Sequence, residues 1–197
     1  MQNAYFVTSS IAGGKSTFIK IVKKLGFDTI SADEITHMLL NENAQHIAKL
    51  FDDFSLIVNN GIDRKKLGNI IFNDVLAKSK LENFIHPKIK KEILSQAIKI
   101  DKKNKAFFIE LPLFFENNNY QNLGKSILIY APKKLLLQRL MKREHIDKEE
   151  ALKRINCQLD IEKKKQIADY VIENIESYEI FEESVLNFLK YNLKVII

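Results

Sequence analysis

The run Gly13-Gly14-Lys15-Ser16-Thr17 constrains this chain more than any other feature, because of what flanks it. An apolar stretch, Ala4 to Val7, precedes it, and Phe18, Ile19, Val22 and Leu25 follow at helical spacing. Strand, loop and helix in that order predict a phosphate cradle. Backbone N–H groups and a helix N-terminus face the anion, the Lys15 ammonium reaches the outer phosphates, and the Ser16 hydroxyl is placed to ligate magnesium. Ser9 occupies the first position of G-x-x-x-x-G-K-[ST], where glycine is usual. The competing reading is a tight turn that only caps a helix; the position after the first strand favours the cradle.

The rest of the chain alternates apolar strands with helical stretches. Gly26 after Leu25 predicts a helix end, and Phe27-Asp28-Thr29-Ile30 a short second strand. From Glu34 to Lys99 the pattern is mostly helical, with Asp63 as an N-cap before Leu67, Ile70 and Ile71. Ala106 to Leu111 and Ser126 to Tyr130 read as buried strands, and Tyr170-Val171-Ile172 as the last one. Helices are expected after Pro132, from Asp147 with Glu150 completing a capping box, and around Phe181, Val185, Phe188 and Leu189. Such strands need crossover connections, so the expected fold is three-layer α/β with a mostly parallel sheet, and ligands belong at the strands' carboxyl ends.

Asp33 falls just past the second strand. A carboxylate there, beside a phosphate loop, can orient an acceptor hydroxyl and take its proton; the alternative is an N-cap for the helix from Glu34. Arg139 and Arg143 are four apart on one expected helix, either projecting together toward phosphates or forming a solvated pair. His86 before Pro87 reads as extended or turn backbone leading into a helix, with a substrate-side contact as the second reading. Glu116 either positions an acceptor or metal or caps a loop, and Cys157 reads as inert.

With 197 residues the chain suits one α/β core with a small helical insertion. No segment approaches the roughly 18 apolar residues of a membrane span, and Met1 to Val7 lacks the basic start of a signal peptide. The lone cysteine excludes an internal disulfide, which suits the cytoplasm. A net charge of +6 raises the question of nucleic acid, but the lysines are scattered among acidic neighbours, so a polyanionic small molecule is the expected partner. No nucleic acid, no membrane and a monomeric or weakly homo-oligomeric state are expected.

A succession of further segments runs the length of the chain: Thr8 to Thr17, Ser31-Ala32-Asp33, Ile62-Asp63-Arg64, His86-Pro87, Pro112-Leu113-Phe114-Phe115-Glu116, Gln138-Arg139 with Arg143 and Arg154, and Ala168-Asp169-Tyr170-Val171-Ile172-Glu173-Asn174. In order and spacing it resembles the dephospho-CoA kinase family. The resemblance implies a P-loop NTPase fold that uses ATP, dephospho-CoA and Mg2+. It implies Asp33 as the base for the ribose 3′-hydroxyl, with Lys15 the second catalytic residue. It places Ala12, Gly13, Gly14, Lys15, Ser16, Thr17, Arg139 and Arg143 at ATP, Ser16 also at the metal, and Thr8, Arg64, His86, Pro112, Leu113 and Glu116 on the substrate side. The implied partition is a nucleotide-binding core (1–33, 104–142 and 166–197), a helical substrate-side region (34–103) and a lid (143–165). Ser9, Ser10 and Ala12 stand where the family usually has glycine, Ser31 where it has aspartate, and His37 where arginine is common.

Two rivals remain at this stage. One is another small-molecule kinase of the same fold, such as one acting on a nucleoside monophosphate. The other is a nucleotide-binding regulator, although neither Asp-x-x-Gly nor Asn-Lys-x-Asp, the handles of guanine-nucleotide switches, occurs in the chain.

Overall fold

The computed structural model describes residues 1–117 and 119–194. Its elements run β1 (Ala4–Ser9), α1 (Lys15–Lys24), β2 (Thr29–Ser31), α2 (Ala32–Glu42), α3 (Ala44–Leu50), a 3-10 turn (Phe54–Leu56), β3 (Ile57–Val58), β4 (Gly61–Ile62), α4 (Arg64–Asn73), α5 (Val75–Asp101), β5 (Phe107–Glu110), β6 (Lys125–Tyr130), α6 (Lys133–Glu144), α7 (Lys148–Asn156), α8 (Ile161–Ile167), β7 (Tyr170–Glu173) and α9 (Tyr178–Tyr191). The chain divides into two compact units, Met1–Ile30 with Ala97–Ile197, and Ser31–Gln96.

The first unit is built on a sheet of order β2-β5-β1-β6-β7, in which β1–β5, β1–β6 and β6–β7 pair in parallel. Its strands carry unbroken apolar runs because both faces are covered: Ile127, Leu128 and Ile129 of β6 and Phe107, Phe108 and Ile109 of β5 are wholly buried. On one face α1 contributes Phe18, Ile19, Ile21 and Val22, and α9 contributes Phe181, Val185, Phe188 and Leu189, packed on Val7, Phe108, Ile129 and Ile172. Each such side chain stabilises the fold by about 1.5–3 kcal/mol through burial. On the β1 face that presents Phe6, the rings of Phe114 and Tyr120 lie 5.1 and 6.0 Å from it.

β1 runs two residues further than its apolar pattern, through Thr8 and Ser9, because hydrogen bonding of the parallel ladder continues to Ser9 opposite Ile129. β2 is displaced to Thr29–Ser31 from its expected start at Phe27. Phe27 instead presses edge-on against Phe108 at 5.4 Å, and Gly26 turns the chain there with a φ of 84°.

The second unit is mostly helical, as the pattern of 34–99 predicts, but holds a two-residue hairpin that the pattern conceals. Ile57 pairs with Ile62 and Val58 with Gly61, joined by Asn59 and Asn60 at φ 50° and 61°. Left-handed backbone at both central positions is the turn that matches strand twist, and asparagine tolerates it. Asp63 caps α4 as expected, accepting from the Lys66 N–H at 3.0 Å.

His86 and Pro87 depart from expectation: they lie inside the unbroken α5, not at a helix start. An interior proline forfeits a hydrogen bond and costs about 3 kcal/mol. Against it stands the column Ala77, Leu81, Ile85, Ile89, Ile93 and Ala97, all buried at four-residue spacing, which keeps the helix intact while His86 and Pro87 face outward.

Candidate active site

The central strand β1 delivers the chain into the phosphate loop. Ser9 and Ser10 are buried; the Ser9 hydroxyl donates to the Ile129 carbonyl at 2.7 Å, and the Gly13 N–H to the Ser10 carbonyl at 3.0 Å. Ala12 has a φ of 64° and Gly14 of 102°. Glycine is needed at 14 on two grounds, since a Cβ there would also strike the Asn174 amide. That amide donates to the Gly13 carbonyl at 2.9 Å, while Asn174 is itself held by its N–H on the Tyr130 carbonyl (2.8 Å) and by Arg139 Nη1 on its own carbonyl (2.9 Å). A Cβ on Gly13 would occupy the space of the Ser9 hydroxyl. α1 then starts at Lys15, with Gly14 as its cap and no capping side chain. Its first N–H groups lack intrahelical partners and carry the positive end of the helix dipole.

Lys15 Nζ meets Glu110 Oε1 at 2.6 Å, each side chain about 14 % exposed. Glu110 ends β5, the strand beside β1, so the sheet itself brings the carboxylate to the lysine. Ser16, next on α1, is exposed, and its hydroxyl has no hydrogen-bond partner among the described residues. Thr17 donates its N–H to the Gly14 carbonyl at 3.0 Å. Among the described residues no group of three or more His, Cys, Asp or Glu could hold a metal ion; an Mg2+ carried by phosphates needs only one or two protein oxygens, and the Ser16 hydroxyl fits that demand.

The Pro112–Glu116 segment follows β5. Fully buried Thr8 donates its hydroxyl to the Pro112 carbonyl at 3.0 Å, so these two expected substrate-side residues are tied to each other. Leu113 is exposed while Phe114 and Phe115 are buried. Glu116 Oε1 accepts from the Leu159 N–H at 3.0 Å and pairs with Lys164 Nζ at 2.8 Å. The neighbouring Gln158 accepts from the Ile11 N–H of the phosphate loop at 2.9 Å. α8 is fastened further by Tyr130, whose hydroxyl donates to Glu162 at 2.7 Å; that carboxylate favours the neutral phenol and pushes the Tyr130 pKa up to about 12.

Arg139 and Arg143, read either as projecting together or as a solvated pair, have separate partners. Both lie on α6, but Arg139 turns to Asn174 while Arg143, in the last turn, pairs with Glu144 at 3.0 Å. Burial lowers the Arg139 pKa without threatening its charge.

In the second unit, Asp33 lies in the first turn of α2 and is exposed. It is not the helix cap: Ser31 fills that role, accepting from the Glu34 N–H at 3.3 Å. The side chains of Asp33, of the exposed Arg64 at the start of α4 and of the exposed His86 have no hydrogen bond or ion pair among the described residues.

The family model for dephospho-CoA kinase matches residues 6–179. The chain belongs to the dephospho-CoA kinase family. It is similar to the dephospho-CoA kinase of Campylobacter jejuni, 51 % identical over 194 residues and covering 96 % of each chain. The solved structure titled dephospho-CoA kinase from Campylobacter jejuni superposes with a TM-score of 0.83 at 50 % identity, covering 98 % of each chain. A shikimate kinase from Acinetobacter baumannii, 14 % identical, with a TM-score of 0.57 and coverage of 98 % of this chain and 94 % of its own, shares the fold.

Of this chain's departures from the residues usual in dephospho-CoA kinases, two have visible reasons. Ser9 turns its hydroxyl into the space beside Gly13 and ties the loop to β6, and Ser31 caps α2. Nothing in the structure explains Ser10 beyond its carbonyl accepting from Gly13. Sequence reasoning missed Glu110, Gln158 and Lys164. Glu110 was signalled by its place at the end of an apolar strand beside the phosphate loop's own strand; Gln158 and Lys164 sit in polar surroundings that gave no sign of their partners.

Proposed function

We propose that the chain transfers the γ-phosphoryl group of ATP to the ribose 3′-hydroxyl of dephospho-CoA, releasing coenzyme A and ADP. The observation that carries this is the phosphate loop itself, with the Lys15 ammonium and the open N-terminus of α1 at the carboxyl edge of a parallel sheet. The membership in a family of ATP-dependent kinases supplies the acceptor.

In this reading the segment Ala12 to Thr17 wraps the phosphates, the Gly13 and Thr17 N–H groups bracing the loop on the Ser10 and Gly14 carbonyls. Lys15 exchanges Glu110 for the β- and γ-phosphates and offsets the charge that develops on the transferred group. Arg139 braces the site through Asn174, and Arg143 leaves Glu144 to reach the nucleotide. Asp33, free of any capping duty, orients the 3′-hydroxyl and accepts its proton. Arg64, His86 and Leu113 face the CoA portion, while Thr8, Pro112 and Glu116 position the walls from within. Ser16 is the residue that would hold Mg2+, which when bound would supply neutralisation of part of the phosphate charge. Within the expected lid, α7 is the part able to move and α8 the anchor. A cytoplasmic enzyme without nucleic-acid or membrane partners, monomeric or weakly self-associating, completes the proposal.

The test is ADP release coupled to an indicator reaction, with dephospho-CoA, AMP and shikimate offered separately at equal concentration. Turnover with dephospho-CoA alone is expected, its product carrying phosphate at the 3′ position by mass and phosphorus spectra. Faster turnover on AMP or shikimate would overturn the acceptor assignment.

A further inference from the structure

Lys164 is wholly buried, whereas Lys163 beside it is exposed and Lys165 partly so. A lysine is rarely buried unless its charge is matched, because removing an ammonium from water is costly. Here the match is Glu116 at 2.8 Å, and the same ammonium lies 3.4 Å from the Ser9 carbonyl, at the first position of the phosphate loop.

The surrounding bonds converge on that point. The carboxylate oxygen that takes Lys164 also accepts the Leu159 N–H, and Gln158, one residue earlier, accepts the Ile11 N–H. The connection between α7 and α8 thus grips the loop at Ile11, and α8 itself grips it at Ser9. The grip falls on the half of the loop without glycine, where it joins β1; both glycines are in the second half, at 13 and 14. Loop N–H groups bind phosphate only while their backbone is held in place, and an outer ring of hydrogen bonds is the usual means of holding it.

We propose that Lys164 is a positioning residue for ATP: acting through the Ser9 carbonyl and Glu116, it locks the first half of the phosphate loop and the foot of the lid into the nucleotide-binding arrangement. This rests on the assignment of ATP to the loop. It removes Glu116 from the substrate-contacting set and gives it an internal partner.

Calorimetry with ATP, steady-state kinetics and thermal unfolding on Lys164→Met, Glu116→Gln and the double variant test it. Lys164→Met is expected to weaken ATP binding and raise the KM for ATP at least about tenfold, leaving the KM for dephospho-CoA within about twofold. It leaves the Glu116 carboxylate, its side chain about 20 % exposed, without its cation, so its melting point falls as well. The double variant removes both charges and regains melting temperature, but not ATP affinity, because the Ser9 carbonyl has then lost its ammonium. Should Lys164→Met fail to fold, the double variant carries the test. Recovery of ATP affinity together with stability in the double variant, or unchanged ATP affinity in a folded Lys164→Met, would reduce Lys164 to a packing role and overturn the proposal. Because ATP binding is read without the acceptor, an unmutated protein that binds ATP but ignores dephospho-CoA would refute the acceptor assignment and leave this test intact.

Discussion

Ala12 holds a φ of 64°, a left-handed conformation that costs a residue with a Cβ about 1–2 kcal/mol. Glycine would escape that cost but gives the unfolded chain more freedom, worth about 0.4–1 kcal/mol against folding. The first effect is larger. Ala12→Gly should therefore stabilise the protein by roughly 0.5–1 kcal/mol, raising the melting midpoint by about 2 °C. A fall of that size on thermal unfolding would mean that the Ala12 methyl makes a packing contribution greater than its strain. At Lys15 the argument separates function from stability. With the proposed role of its charge on the transferring phosphoryl group, Lys15→Ala should lower kcat/KM by about 10²-fold or more. It also leaves Glu110 half-buried without its cation, so some stability goes too. Adding Glu110→Gln should restore the melting midpoint but not the turnover. Recovery of turnover in the double variant would show that the unpaired carboxylate, and not the missing ammonium, was at fault.

Among the elements, α7 and α8 are joined in sequence yet differently secured. α8 is held by Lys164 on Glu116 and by Tyr130 on Glu162, while the ties of the basic end of α7 run through exposed groups, Lys153 with Glu149, Arg154 with Glu150 and with Glu144 of α6, and Asn156 with Lys133 of α6. Saturating ATP should slow hydrogen exchange across 148–156 and leave 161–167, fastened by those bonds, nearly unchanged. Equal exchange in α7 with and without ATP would contradict the lid. Arg143→Ala should lower turnover about tenfold if that arginine reaches the nucleotide, and not at all if it only pairs with Glu144. Elements with a strong period were legible in the sequence: the buried strands β5 and β6, the Asp63 and Asp147 caps, and α9 with its Phe181, Val185, Phe188 and Leu189 face. The misses have physical causes. The β3–β4 hairpin is two residues per strand, below what alternation can reveal, and only Asn59-Asn60-Gly61 marked it. The local preference of His86-Pro87 for extended backbone lost to the column of buried apolar side chains on α5.

At the scale of the whole molecule, the phosphate loop was legible because its chemistry is local: strand, loop and helix are contiguous in sequence. The residues that brace it were not, because Glu110, Gln158, Lys164 and Asn174 reach Lys15, Ile11, Ser9 and Gly13 from 95 to 161 positions away. No period or spacing encodes such a meeting; only the crossover topology creates it. Asp33 was placed by its position after β2, and the structure withdrew its rival reading by giving the cap to Ser31. The central claim is that this exposed carboxylate is the base for the acceptor hydroxyl. Asparagine keeps its size and would serve a cap almost as well, but cannot take a proton. The decisive measurement is turnover of saturating dephospho-CoA by Asp33→Asn beside the unmutated chain, with ATP affinity measured on both. A loss of about 10²–10⁴-fold in turnover, equivalent to about 3–5 kcal/mol of barrier, with ATP binding intact is predicted; turnover within a few-fold of the unmutated chain would contradict it.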